Sequence, residues 1–249
     1  MLHIVTAANS GIGLAFAKLL LSKFPEDQFI FTHRQDAELQ ELQVIKERFS
    51  DKVHFHILEA TKEEDFEKLS LLIKSINEPI GFLINTIGLL EGEILESPER
   101  KIAECQPEKM LHSFQVNALP SLLLAKYLFP QLRSSKDLKF ASLSAKVGSI
   151  TDNRSGGWYS YRMSKVALNM AIKNLAIEIG RYNPSALVVS LHPGTTETNF
   201  TKNFLESARN KYEIHSPEAT AENLFRVLSS LDVKDSGNFY NWTGEALAF

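Results

Sequence analysis

Six short apolar runs punctuate the chain with room for a helix between each pair: LHIVT, QFIFT, VHFHIL, GFLINT, LKFASLS and ALVVSLH. Each is apolar on both alternating faces, as expected of parallel strands that are covered on both sides. The stretches between them, such as GIGLAFAKLLLSKF, EEDFEKLSLLIKSI and YSYRMSKVALNMAIKNLAIEIGRY, carry apolar residues at helical spacing. Regular alternation of strand and helix specifies an α/β fold, a doubly wound parallel sheet flanked by helices with right-handed crossovers. PEKMLHSFQVNALPSLLLAKYLFPQL reads as one long helix and GNFYNW as a last edge strand. No Pro/Ser/Gly-rich linker, low-complexity tract or repeat divides residues 1–249, so a single domain is expected.

Charge and composition exclude several functions. The formal net charge is −3 and no long Lys/Arg cluster occurs, so neither a nucleic acid nor an anionic membrane surface is an expected partner. The apolar run LLLAKYL is broken by Lys126, well short of the roughly 20 residues of a membrane-spanning helix. Cys105 is the only cysteine, and the first residues enter a strand pattern without the basic and apolar regions of a signal peptide. A cytoplasmic, reducing setting is expected. His54 and His56 share one strand face, but no third ligand lies nearby, and no metal is expected.

In an open sheet of this kind, ligands bind at the carboxyl ends of the strands. After the first strand comes TAANSGIG, with Thr6, Asn9, Ser10, Gly11, Ile12 and Gly13. Glycines there let a backbone approach a pyrophosphate, whose charge meets the free N–H groups of a helix start. The glycine pair alone fits an ordinary strand-to-helix turn equally well, and its place in the first βα turn favours dinucleotide binding. The second strand ends in FIFTHRQ, where Arg34 suits a 2′-phosphate, which favours NADP(H) over NAD(H). HILEAT offers Glu59, followed by Ala60, to an adenine, and LINTIG puts Asn85 and Gly88 on the crevice side.

Tyr161 and Lys165 stand four residues apart in a helical pattern and share one face. A phenol ordinarily titrates near ~10, and a neighbouring cation favours its ionised form, which is what a proton-transferring acid/base needs. Tyr159 points to a different face. By itself, Tyr-x-x-x-Lys is a pattern that any amphipathic helix can contain.

TAANSGIG, NTIG, FQVNA, the serines after the fifth strand, YRMSK and HPGTTET follow one another in this order. In that succession the chain resembles, along nearly its whole length, the short-chain dehydrogenase/reductase family. The run VGSI…N…GGWYSYRMSKVALN is most similar to the carbonyl-reductase-like branch that includes the myxobacterial C-factor and the fly sniffer protein. The resemblance implies a Rossmann-type fold and an NADP(H)-dependent oxidoreductase that reduces a ketone or aldehyde, or oxidises the alcohol. It implies Tyr161 as acid/base and Lys165 as the group that lowers its pKa and holds the nicotinamide ribose. Asn117 would fix a water in a proton relay. Asn85 and Gly88 would match the turn beside the cofactor, and Pro193, Gly194 and Thr198 a cofactor-contacting Pro-Gly motif. A homodimer or homotetramer through helices around residues 110–132 and 163–179 follows from the same likeness.

Three positions depart from the family pattern. Ala7 replaces the first glycine of the phosphate turn, Glu59 stands for an aspartate, and Ala145 occupies the usual place of the catalytic serine. Ser144 and Ser149 flank that place, and Ser144, nearer the strand end, is the favoured substitute. These departures would also suit a catalytically weak, nucleotide-sensing or signalling protein on the same fold. The polar segment TTETNFTKNFLESARNKYEIH is expected to cover the substrate, with Phe200, Phe204 and Trp158 as an apolar wall or as plain packing.

Overall fold

The computed structural model describes residues 1–249 apart from Asp36, Glu93, Leu95, Glu96 and Lys211, and the side chain of Ser207. Its elements run β1 (Leu2–Val5), α1 (Gly11–Lys23), β2 (Gln28–His33), α2 (Gln40–Arg48), β3 (Val53–Ile57), α3 (Glu63–Ile76) and β4 (Ile80–Asn85). They continue with α4 (Pro107–Asn117), α5 (Leu119–Ser134), β5 (Lys139–Leu143), α6 (Tyr159–Tyr182), β6 (Leu187–His192) and β7 (Thr195–Thr196). The chain closes with α7 (Leu205–Arg209), β8 (Ile214–His215), α8 (Pro217–Ser230), β9 (Phe239–Asn241) and β10 (Ala246–Leu247).

Eight strands form one sheet in the order β10-β9-β6-β5-β4-β1-β2-β3. Every pairing is parallel except the edge pair β9 and β10. All residues of β1 and β4 are buried, as their unbroken apolar sequences require. Leu2, Ile4, Phe140 and Val188 face helices α3, α5 and α6, whereas Val5, Phe31, Ala141 and Val189 face α1, α2 and α8. This is the doubly wound Rossmann-type architecture, and the strand order reverses between β1 and β4. No helix among the described residues is long and apolar enough to cross a membrane.

The stretch read as one long helix is two. α4 ends at Asn117, and α5 begins at Leu119 with Pro120 in its first turn. Proline lacks an N–H and its ring clashes with the preceding turn, so the chain breaks although the apolar periodicity continues. The break places Asn117 at a helix end. Among its described residues the expected covering segment contains a 3-10 turn over Lys202–Phe204 and a short helix, α7, and is bracketed by the two-stranded pairing of β7 with β8.

The turn after β1 is unusually tight. Ala7 adopts φ +48°, a left-handed conformation that costs a residue with a Cβ about 1–2 kcal/mol. A Cβ on Gly13 would lie 2.3 Å from the Ala7 carbonyl oxygen and 2.8 Å from Thr86 Oγ1. Backbone cannot yield there as a flexible side chain would. Gly13→Ala is therefore expected to lower the melting temperature by about 2–10 °C, the equivalent of ordinary overpacking, and thermal unfolding followed by circular dichroism checks it.

Candidate active site

The carboxyl ends of β1, β4, β5 and β6 bring together most of the residues expected to act. At the start of α1, Ser10 makes no side-chain capping bond and the first turn holds no acidic residue. The positive end of the helix is thus uncompensated by the protein, which suits an anionic pyrophosphate. Gly11 adopts φ +53°, and a side chain there would meet Thr198 Cγ2 at 3.3 Å. Thr198 closes over the turn from the far side. Thr6 donates to Asn85 Oδ1 at 2.8 Å, and Asn85 donates to Ser121 Oγ at 2.9 Å, so these two residues brace strand ends.

Tyr161 and Lys165 lie on the buried face of α6, 8% and 3% exposed. The Lys165 ammonium sits 5.6 Å from the centre of the Tyr161 ring and donates to the Leu143 carbonyl at 2.9 Å. Burial lowers Lys165 to about 7 and pushes the Tyr161 phenol above its ordinary value. The protein's own groups therefore do not by themselves depress the phenol. The ammonium faces the ring rather than the hydroxyl, and desolvation disfavours the phenolate.

Asn117 has no exposed surface. Its amide accepts from Leu89 N at 2.7 Å and donates to Leu89 O at 2.9 Å, and also approaches Ser113 Oγ and Ser164 Oγ. Both ends of this side chain are committed to protein, which fits a brace between α4, α6 and the turn after β4. At Gly88 the groups converge: a Cβ would lie 3.4 Å from Asn117 Oδ1, 3.5 Å from Lys165 Nζ and 3.7 Å from Phe200 Cε2.

The structure separates the serines. Ser144 N still bonds to Leu191 O, so strand pairing extends past β5 and its side chain shares the face of Phe140 and Ser142, the face covered by α6. Its hydroxyl is buried with no hydrogen-bond partner. Ser149 Oγ instead accepts from Asp152 N at 3.1 Å. Ala145, with extended backbone, starts a short 3-10 turn over Lys146–Gly148.

Arg34 lies exposed just beyond β2. Glu59 and Ala60 follow β3, and Glu59 Oε1 accepts from Gln35 N at 2.8 Å, tying the two strand ends together. Asn9 and Ile12 are partly exposed in the turn after β1. Pro193 and Gly194, the latter at φ +76°, turn the chain out of β6. Glu99 was not foreseen. Only 4% exposed, it accepts from Ser160 N and Ser160 Oγ at the start of α6. Nothing in the polar stretch SPERK marks it, because its partner lies 61 residues away.

A model of the short chain dehydrogenase family matches residues 2–209. The chain belongs to that family. C-signal of Myxococcus xanthus is 31% identical over 142 residues, covering 54% of this chain and 75% of C-signal. The carbonyl reductase Sniffer of D. melanogaster superposes with a TM-score of 0.84 at 25% identity, over 100% of this chain and 98% of that one. An NADPH-bound carbonyl reductase from chicken fatty liver gives 0.83 at 24% identity, over 100% and 94%. This dehydrogenase is thus an oxidoreductase similar to carbonyl reductases.

The lowered pKa of Lys165 carries a stability signature. Between about pH 7 and its unfolded value near 10.5, the unfolded chain keeps a proton that the folded enzyme has released, so raising the pH favours the fold. Urea unfolding of the cofactor-free enzyme at pH 7, 8 and 9 should show this contribution rising by up to about 1.4 kcal/mol per pH unit, and Lys165→Met should abolish the rise.

Proposed function

We propose that this short-chain dehydrogenase, acting as one domain over residues 1–249, reduces a ketone or aldehyde with NADPH and runs the reverse oxidation of the alcohol. The observation that carries the reading is the convergence of Lys165 and Asn117 on Gly88, with the Tyr161 ring beneath the Lys165 ammonium. A cofactor fits the chain's own groups: the uncapped start of α1 for a pyrophosphate, Arg34 for a 2′-phosphate, and the Lys165 ammonium for ribose hydroxyls. When bound, the nicotinamide supplies the hydride.

Tyr161 donates the proton. Burial keeps the phenol protonated, and a protonated phenol is the form that a reduction consumes. Lys165 spends one of its three donors on Leu143 O, which anchors the ammonium and would leave two donors to hold ribose hydroxyls. Ser144 offers its unpartnered hydroxyl to the carbonyl oxygen as negative charge grows there. Asn117 holds the turn after β4 in place. NADPH is favoured over NADH because a guanidinium, rather than a carboxylate, stands directly after β2. Association into a homodimer or homotetramer is supported by exposed Met163, Met170 and Ile177 along one stripe of α6 and Leu122 on α5.

Tyr161→Phe removes only the transferable proton, so NADPH binding measured by fluorescence should persist while turnover falls by about a hundredfold or more. A variant that kept most of the wild-type rate would remove Tyr161 from the role of acid. Arg34→Ala should weaken NADPH by about tenfold to a hundredfold and leave NADH nearly unchanged, as titration of both nucleotides would reveal.

A further inference from the structure

Immediately before the catalytic helix, three successive residues take left-handed backbone: Gly156 at φ +62°, Gly157 at φ +64° and Trp158 at φ +52°. The two glycines adopt this freely, but a tryptophan does so only where the surroundings over-determine it. They do so here. Gly156 N donates to Asn153 Oδ1 at 3.0 Å, Arg162 Nε to Gly157 O at 3.1 Å, and Trp158 N to Glu99 O. The buried Glu99 carboxylate then takes both Ser160 N and Ser160 Oγ. The docking is close enough that a Cβ on Gly157 would lie 3.3 Å from Glu99 O.

This strained turn aims the indole across the mouth of the site. Its ring lies 6.2 Å from the Tyr161 ring at 70° and 5.0 Å from the Phe204 ring at 59°. Phe200 completes the group, 6.2 Å from Tyr161 at 57°. Two separate stretches of chain, residues 158–161 and 200–204, thus gather four aromatic rings, with Trp158 and Phe200 flanking the Tyr161 ring. Trp158 is only half-buried and Phe200 is 37% exposed, so these rings are not simply core. Aromatic faces and edges prefer another ring in offset or edge-on geometry, beyond what apolar area alone gives.

We propose that Trp158, held left-handed by Glu99, is a specificity-determining residue that favours carbonyl substrates bearing a flat ring beside the reacting carbon over equally bulky saturated ones, with Glu99 as its positioning residue. The proposal rests on the reading of the enzyme as a carbonyl reductase. A right-handed backbone at Trp158 would swing the indole away from Phe204 and Tyr161, which is why the strain and the carboxylate belong to one device.

The test compares acetophenone with cyclohexyl methyl ketone, a pair of similar size, at saturating NADPH. Trp158→Ala should raise KM for acetophenone by about tenfold, the worth of one aromatic contact and its burial, while KM for the saturated ketone changes by less than about threefold. Trp158→Phe should restore most of the discrimination. Glu99→Gln, which replaces one of the two oxygens that accept from Ser160 with an NH2 donor, should shift the KM ratio in the same direction with NADPH affinity unchanged. Equal losses on both ketones, or no recovery in Trp158→Phe, would overturn the proposal and reduce Trp158 to packing. Wild-type enzyme that binds NADPH and reduces neither ketone would instead overturn the carbonyl-reductase reading. Should Glu99→Gln fail to fold, the two Trp158 variants decide the matter alone.

Discussion

The Asn117 side chain, sealed from solvent, exchanges two hydrogen bonds with the backbone of Leu89 and reaches Ser113 and Ser164 besides. One amide therefore fixes α4, α6 and the turn after β4 against one another. The turn it fixes presents Gly88, where a Cβ would lie within 3.5 Å of both Asn117 Oδ1 and Lys165 Nζ. A buried amide has two donors and one carbonyl to satisfy, and losing a partner costs the desolvation of that group. Geometry at the site is thus held by groups that cannot relax cheaply.

A second polar chain holds the sheet from within. Thr6, Asn85, Ser121 and Ser142 bond in succession, joining β1, β4, α5 and β5. Each member is buried and each is satisfied. The contrast at the carboxyl edge is informative. Ser144 Oγ and His192 Nδ1, at the ends of adjacent strands, are buried without partners. Burial holds His192 near 4, and so neutral at physiological pH. Ser190 Oγ, inside β6, is unpartnered as well, so the free hydroxyls of this region are not confined to the strand ends.

Desolvation governs the pair on α6. Removing water from Lys165 and Tyr161 drives each toward its neutral form. The Leu143 carbonyl orients the ammonium without neutralising it.

The sequence by itself determined the architecture. Strands such as IGFLIN are buried on both faces, and that burial demands continuous apolar runs that are visible without coordinates. Tyr161 and Lys165 were legible for the same local reason: four residues on a helix fix a shared face. Where local pattern and covalent constraint disagreed, the pattern misled, as in the helix that Pro120 divides although its apolar spacing continues. Tertiary structure alone decided the rest. Ser144 rather than Ser149 keeps a free hydroxyl because the β5 pairing runs one residue further and sets which face that hydroxyl meets. Glu99 reaches Ser160 across 61 residues, and its backbone carbonyl accepts from the N–H of the left-handed Trp158. Such contacts join residues whose local sequences say nothing about each other, and only the packed chain brings them within bonding distance.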